Sequence, residues 1–143
     1  MISVLALPAG ALIQTDIVYD MDDTHVNSSA GDTNFDGLAL KTGKPGADTL
    51  ESWFRFNLND ATGYYVVGAT LFTYAYAVTD SKQYSMHNAS SATWTETGLT
   101  WNNKPSYGNT VAQNTIGSTG WWTWTILESY SNAFSRAGQQ MGK

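Results

Sequence analysis

The sequence predicts an all-β protein, an antiparallel, jelly-roll-like β-sandwich carrying a short C-terminal helix. Three observations carry this expectation. Thr, Tyr, Trp, Val and Phe recur along the chain, with aromatics at 13% of 143 residues, and these side chains suit a pleated, half-buried surface. Turn chemistry punctuates the runs at short intervals, as at Ser28-Ser29-Ala30-Gly31-Asp32, Gly43-Lys44-Pro45-Gly46 and Asn102-Asn103-Lys104-Pro105. Helical spacing occurs only near the end. Many short strands with little helix make a sandwich or a jelly roll.

Taken in order, the opening MISVLALPAGALI is apolar but does not read as a signal peptide. It lacks a basic start, and Pro8 cuts its apolar core short. Weak strands follow at Ile17–Met21 and Leu38–Thr42. The clearest strand is Ser52–Leu58, where Phe54, Phe56 and Leu58 share one face and Trp53, Arg55 and Asn57 the other. Ala69–Val78 is apolar or aromatic on both faces, which predicts a central strand with Tyr74 and Tyr76 in the core. Gln83–Asn88 and Trp121–Ile126 are further strands. Leu127, Tyr130 and Phe134 recur at three- and four-residue spacing, predicting about three helical turns before Gly138.

Composition excludes several classes. Charged residues are 13% and the net charge is −5, so the chain has no basic face for nucleic acid. It has no cysteine, hence no disulfide framework, thiolate metal site or thiol nucleophile. No apolar run reaches the length of a membrane span. The charge is uneven: residues 1–60 hold nine acids against Lys41, Lys44 and Arg55, and six of those aspartates fall between positions 16 and 36. Charges that dense belong on loops facing solvent or sharing a cation.

Three segments together resemble the DNRLRE-type domains, a family of extracellular β-sandwich modules related to disaggregatase repeats and to a class of carbohydrate-binding modules. The first is Asp23-Thr24-His25-Val26-Asn27 followed by Asp32-Thr33-Asn34-Phe35-Asp36-Gly37-Leu38. The second is Trp53-Phe54-Arg55-Phe56-Asn57-Leu58 with Gly68-Ala69-Thr70-Leu71. The third and most specific is Trp94-Thr95-Glu96 with Leu99-Thr100-Trp101-Asn102-Asn103-Lys104-Pro105. The resemblance spans roughly residues 20–127 and implies a jelly-roll-like sandwich, no catalysis, and surface adhesion or polysaccharide contact. His25 stands where the family has an aromatic. Family members also run on for tens of residues after the strand at Trp121–Ile126, whereas this chain ends at Lys143. A missing closing strand predicts an open edge. Residues 1–14 are expected to act as an apolar arm on a single domain of residues 15–143. Ile2, Val4, Leu5 and Leu7 would cover that edge, by folding back or by adding to a neighbouring copy.

Candidate sites follow from the residues. Asp32-Thr33-Asn34-Phe35-Asp36-Gly37 matches the first half of a calcium loop, with Asp22 and Asp23 as further oxygen donors, so Ca²⁺ is the cofactor to test. The same spacing also makes an ordinary Asx-rich turn, because position 43 is Gly where a calcium loop ends in Glu. Trp122 and Trp124 share a face with Ile126 and read as core, whereas Trp121 points the other way. That makes Trp121 either a ring buried by edge packing or a platform for a sugar ring or a partner chain. Trp94, Glu96, Thr100 and Trp101 read as a structural corner, with the Glu96 carboxylate accepting backbone N–H groups of an irregular loop. Glu96 has no paired carboxylate at a catalytic spacing in the later sequence, and His25 reads as a solvent-facing strand residue. No catalytic motif occurs.

The sequence therefore points to a non-enzymatic structural or adhesive subunit on the outside of an assembly, most plausibly a phage virion decoration, fibre or tail protein. Its partners would be copies of itself or other subunits. The alternative is an extracellular carbohydrate-binding module recognising polysaccharide.

Overall fold

A computed structural model describes residues 2–7, 14–18, 20–37, 39–57 and 65–126. The expected helix after Ile126 lies outside the described residues. The described residues form eight strands: β1 Ile2–Leu7, β2 Gln14–Val18, β3 Asp20–Asn27, β4 Leu50–Phe56, β5 Tyr65–Ala75, β6 Lys82–Ala89, β7 Tyr107–Ile116 and β8 Gly120–Ile126. The pairs β1–β2, β1–β5, β3–β4 and β5–β8 are antiparallel. The described residues are thus all-β, as the composition predicts.

Two compact units divide the chain. The sheet unit is Met1–Tyr19, Asn57–His87 and Asn109–Lys143; the loop unit is Asp20–Phe56 and Asn88–Gly108. In the sheet unit four strands run in the order β2-β1-β5-β8, and β6 pairs with β7 in a separate ribbon. Residues 1–14, expected as an arm, place β1 inside this sheet. Ile2 through Leu7, the segment of Val4, Leu5 and Leu7, pairs with β2 on one side and β5 on the other. An apolar strand with both edges paired has its N–H and C=O groups satisfied within the chain.

The register of β5 and β8 sorts their side chains. Ala69↔Ile126, Leu71↔Trp124 and Thr73↔Trp122 put one set on a common face, where Ala69, Leu71, Trp124 and Ile126 are buried together with Ile2. The Trp124 indole N–H donates to Thr73 Oγ1 at 3.0 Å, so this large ring is buried with its one donor satisfied. The opposite face carries Thr70, Phe72 and Tyr74 from β5 against Thr125, Thr123 and Trp121 from β8. Gly120 opens β8 with a φ of 137°, a conformation that side chains disfavour.

In the loop unit β3 and β4 pair with Thr24↔Trp53 and Val26↔Glu51. Residues 28–49 join them, and residues 90–106 form a second long loop. Val26, Trp53, Trp94 and Leu99 make the core, with Trp101 packed on its flank. The Trp53 and Trp94 rings meet edge to face at 6.2 Å, a favoured aromatic geometry. Two irregular loops cannot form ladders, so side chains and tight turns tie them instead. Ser28 N–H donates to Thr49 O at 3.0 Å, and Leu99 N–H to Thr95 O at 3.0 Å. Asn102 N–H donates to Gly31 O, and a Cβ at Gly31 would lie 2.6 Å from the Asn102 amide. A side chain there would have to push aside the Asn102 amide, which bonds Asp32.

Three expectations are corrected. Residues 39–42 form no strand; the local pairing is the single bridge Gly43↔Leu50. His25 is buried, at 1% exposure, rather than solvent-facing: its ring stacks on Phe35 at 4.5 Å, so the loop covers it. Tyr74 and Tyr76 are exposed at 56% and 59% rather than core, because alternation along the chain sets them opposite buried Ala69 and Leu71.

Candidate functional site

The acidic loop region is built from ties between side chains. Asp22 accepts two bonds from Arg55, the Nε donor at 2.8 Å, and its other oxygen accepts the Glu96 N–H at 3.0 Å. Burial opposes ionisation of Asp22, but the Glu96 amide and the Arg55 guanidinium outweigh it and hold its carboxyl below the ordinary value. Asp32 accepts the Asn102 side-chain amide at 2.9 Å. The Asn34 amide donates to Glu96 O at 2.7 Å and Leu99 O at 2.8 Å, while its Oδ1 accepts the Asp36 N–H at 2.9 Å. This is an Asx turn pinning one loop to the other.

The calcium expectation does not fit this arrangement. A Ca²⁺ site needs six to eight converging oxygens, whereas both Asp22 oxygens, Asp32 Oδ1 and Asn34 Oδ1 accept protein donors. Among the described residues no group of three or more acids or histidines is arranged to hold a metal ion. Asp23 contributes to the field on Glu96. The Glu96 carboxyl hydrogen-bonds that of Asp36, and this contact, burial, and the charges of Asp36, Asp23 and Asp22 all push its pKa up. The corner of Trp94, Glu96, Thr100 and Trp101 thus works differently from the expectation. The carboxylate that accepts a loop N–H is Asp22, and Glu96 supplies the N–H. Trp94 is core, Trp101 flanks it, and Thr100 N–H donates to Asn103 Oδ1 at 2.7 Å.

Burial, and secondarily the charge of Lys41, lowers the His25 pKa. Its ring is therefore neutral near pH 7. Lys104 reaches Glu51 at 2.6 Å and lies 4.0 Å over the Trp101 ring, so this cation is also committed to the loop unit's own packing. An open groove of about 450 Å³ crosses the same unit, bordered by Ser91, Thr93, Pro105 and Asn103. Its hydroxyls bond one another, Ser91 to Thr93 at 2.8 Å.

The sheet unit offers different chemistry. Trp121 is 69% exposed, on the face the alternation assigns to it. Its β5 partner is Tyr74, and the two rings meet at 5.3 Å with 69° between their planes. Tyr76 is exposed just past the end of β5. An indole and a phenol left in water are an unusual use of such large apolar surface. Together they present a flat π face, an adjoining wall and a phenolic hydroxyl, the elements that stack on the C–H face of a sugar and bond its hydroxyls. Trp122, half-buried, donates its indole N–H to Ser118 O at 3.2 Å. Sequence reasoning set Trp121 on the outward face of its strand but read Tyr74 as core, where the structure exposes it. The signal was the parity of Thr70, Phe72 and Tyr74 against the small Ala69 and the apolar Leu71, which had no value until the strand's partner was known.

No helix among the described residues is long and apolar enough to cross a membrane. No curated protein and no solved structure matches the chain. A family does match, over residues 14–141: carbohydrate-binding module family 96. That supports the carbohydrate-binding alternative, and nothing in the fold or the comparison supports a virion subunit. The match takes in both units, the aromatic face of β5 and β8 included, and the chain belongs to carbohydrate-binding module family 96.

Proposed function

We propose that this chain is a non-catalytic polysaccharide-binding module acting outside the cell, and that it holds sugar on the outward face of β5 and β8. The finer likeness to DNRLRE-type domains, with their jelly-roll-like sandwich, agrees with this reading. The observation that carries it is the exposure of Trp121 beside Tyr74 in a chain whose other described aromatic contacts serve its own core and loops. Leaving an indole two-thirds bare forgoes part of the roughly 1.5–3 kcal/mol that burial of a large apolar side chain contributes. Such a ring is retained for something that covers it on binding.

Co-sedimentation with insoluble polysaccharides tests this. Wild-type protein is expected in the pellet with at least one of them, and Trp121→Ala and Tyr74→Ala in the supernatant with unchanged melting temperatures. Equal pelleting of all three proteins would place the sugar elsewhere and end this reading.

A further inference from the structure

We infer that the Asp36–Gly37 peptide is a self-modification site, where Asp36 turns into isoaspartate and the Glu96 carboxyl supplies the proton its departing oxygen needs. The change removes one of the ties between the two long loops of the loop unit. It concerns that unit alone and does not depend on the binding reading above. Three observations carry it.

The first is the nucleophile. Of the 13 glycines in the chain, Gly37 is the one that follows an aspartate, and no asparagine precedes a glycine. Attack on a side-chain carboxyl by the next residue's backbone nitrogen closes a five-membered ring, and a side chain beside that nitrogen obstructs the approach. Gly37 has none. The space where a Cβ would stand is empty, and Asp36 and Gly37 are both exposed.

The second is the electrophile. An ionised carboxylate resists attack, so donors that stabilise the ionised form protect an aspartate. Asp22 faces Arg55, Asp32 accepts the Asn102 amide and Asp48 accepts the Ser29 hydroxyl. Asp36 instead hydrogen-bonds the carboxyl of Glu96, and two carboxyls bond one another only when one of them carries a proton. That contact, then burial and the charges of Asp36, Asp23 and Asp22, keep the Glu96 proton in place to higher pH than an ordinary carboxyl.

The third is how the segment is held. Asn34 Oδ1 accepts the Asp36 N–H at 2.9 Å, and the Asn34 amide is itself anchored on Glu96 O and Leu99 O. The backbone before the reacting peptide is thus tied to the residue whose carboxyl meets Asp36, which keeps proton donor and leaving oxygen together.

The step needs no co-reactant but water. Gly37 N bonds to Asp36 Cγ and gives its proton to solvent. A Cγ–O bond breaks with its electron pair on oxygen, which takes the Glu96 proton and one more from solvent and leaves as water. Water then opens the succinimide at either carbonyl. Addition at Cγ restores aspartate. Addition at the backbone carbon leaves the chain running through Cγ, with one extra methylene in the backbone and the free carboxylate on Cα, displaced from Glu96.

The test ages the full chain in mildly acidic buffer and sequences its peptides by electron-transfer fragmentation, which distinguishes isoaspartate from aspartate. Isoaspartate is expected at position 36 at least threefold faster than at any other aspartate. Gly37→Ala should slow it at least tenfold. Glu96→Gln, which keeps a hydrogen-bonding side chain but has no carboxyl proton to give, should slow it at least threefold. A merely structural tie predicts the opposite sign, because a loop released from Glu96 samples reactive conformations more often. Asn34→Ala, which loosens the same loop without removing the acid, shows the size of that loosening effect and should not reproduce the slowing. A rate in Glu96→Gln equal to or above wild type would overturn the inference. So would aspartate retained at position 36 while other positions isomerise, or no isoaspartate anywhere.

Discussion

The loop unit and the sheet unit use the same side chain in opposite ways. In the loop unit Trp53 and Trp94 are 8% exposed and pack edge to face under two irregular loops. In the sheet unit Trp121 is 69% exposed on a regular strand. The first arrangement buys order: long loops have no ladder to hold them, so aromatic burial and side-chain ties take over. The second costs some stability and leaves a rigid platform on a sheet, where a binding group is held more precisely than on a loop. If that contrast is right, substitutions in the two units separate cleanly, one set moving stability and the other binding.

The largest effect is expected in the loop core. Leu99 is 1% exposed within the cluster of Val26, Trp53 and Trp94, so Leu99→Ala leaves a cavity and costs about 3–5 kcal/mol, read by urea unfolding. Polysaccharide binding under native conditions should persist if the chain still folds. Loss of binding at full native population would break the contrast. Next comes Asp22→Asn, which leaves Arg55 without its charge partner and costs about 2–3 kcal/mol by the same measurement.

How far the molecule could be read from its sequence follows the same division. The strand at Trp53–Phe56 was legible because large side chains alternate in it, although the structure buries Trp53, on the face of Arg55, more deeply than Phe54 and Phe56; Trp121–Ile126 was legible because Gly120 marks its start. β7, Tyr107–Ile116, was not. Gly108, Asn109 and Asn114 disfavour strand, and adjacent Val111 and Ala112 are both buried, so the pattern has no period of two. β1 read as an arm because a continuous apolar run does not say whether its neighbours are in the same chain. At the candidate sites the limit was pairing. Asp and Asn at alternate positions from 32 to 36 serve a calcium loop or an Asx turn equally well, and nothing in their spacing announces Asn34's reach to Glu96 O and Leu99 O. The outward placement of Trp121 was legible by parity within its own strand. Tyr74 became visible only when β8 lay beside it.

Smaller effects appear with pH. The His25 pKa is lowered from 6.5 by burial and by Lys41, so below that value the unfolded chain binds a proton the folded one refuses. Stability is full above about pH 6.5 and falls as pH drops toward the folded value. Asp22 has its own window lower down, its contribution present above the unfolded carboxyl value of about 3.9 and lost as pH falls through the depressed folded one. Glu96 acts in the opposite sense. Its carboxyl is raised from 4.5, so the contact with Asp36 stabilises in acid and that gain is lost as pH rises through the folded pKa. Glu96→Gln should therefore shift the urea midpoint upward at pH 7 and leave it near wild type at pH 4. His25→Leu should remove the slope just below pH 6.5, whatever it does to absolute stability. A wild-type slope retained in His25→Leu would assign that titration to another group.

The smallest stability change belongs to Trp121→Ala, within about 0.5 kcal/mol of wild type because so little of the ring is buried. The division of the tryptophans can be read in one experiment, a titration of ¹⁵N-labelled protein with the polysaccharide fragment it binds, following the six indole N–H resonances. The Trp121 indole, assigned by its disappearance in Trp121→Phe, should shift in proportion to bound ligand while those of Trp53 and Trp94 stay in place. A still Trp121 resonance, with ligand-dependent shifts at Trp53 or Trp94, would mean that the loop unit does the binding and that the exposed face of β5 and β8 has been misread.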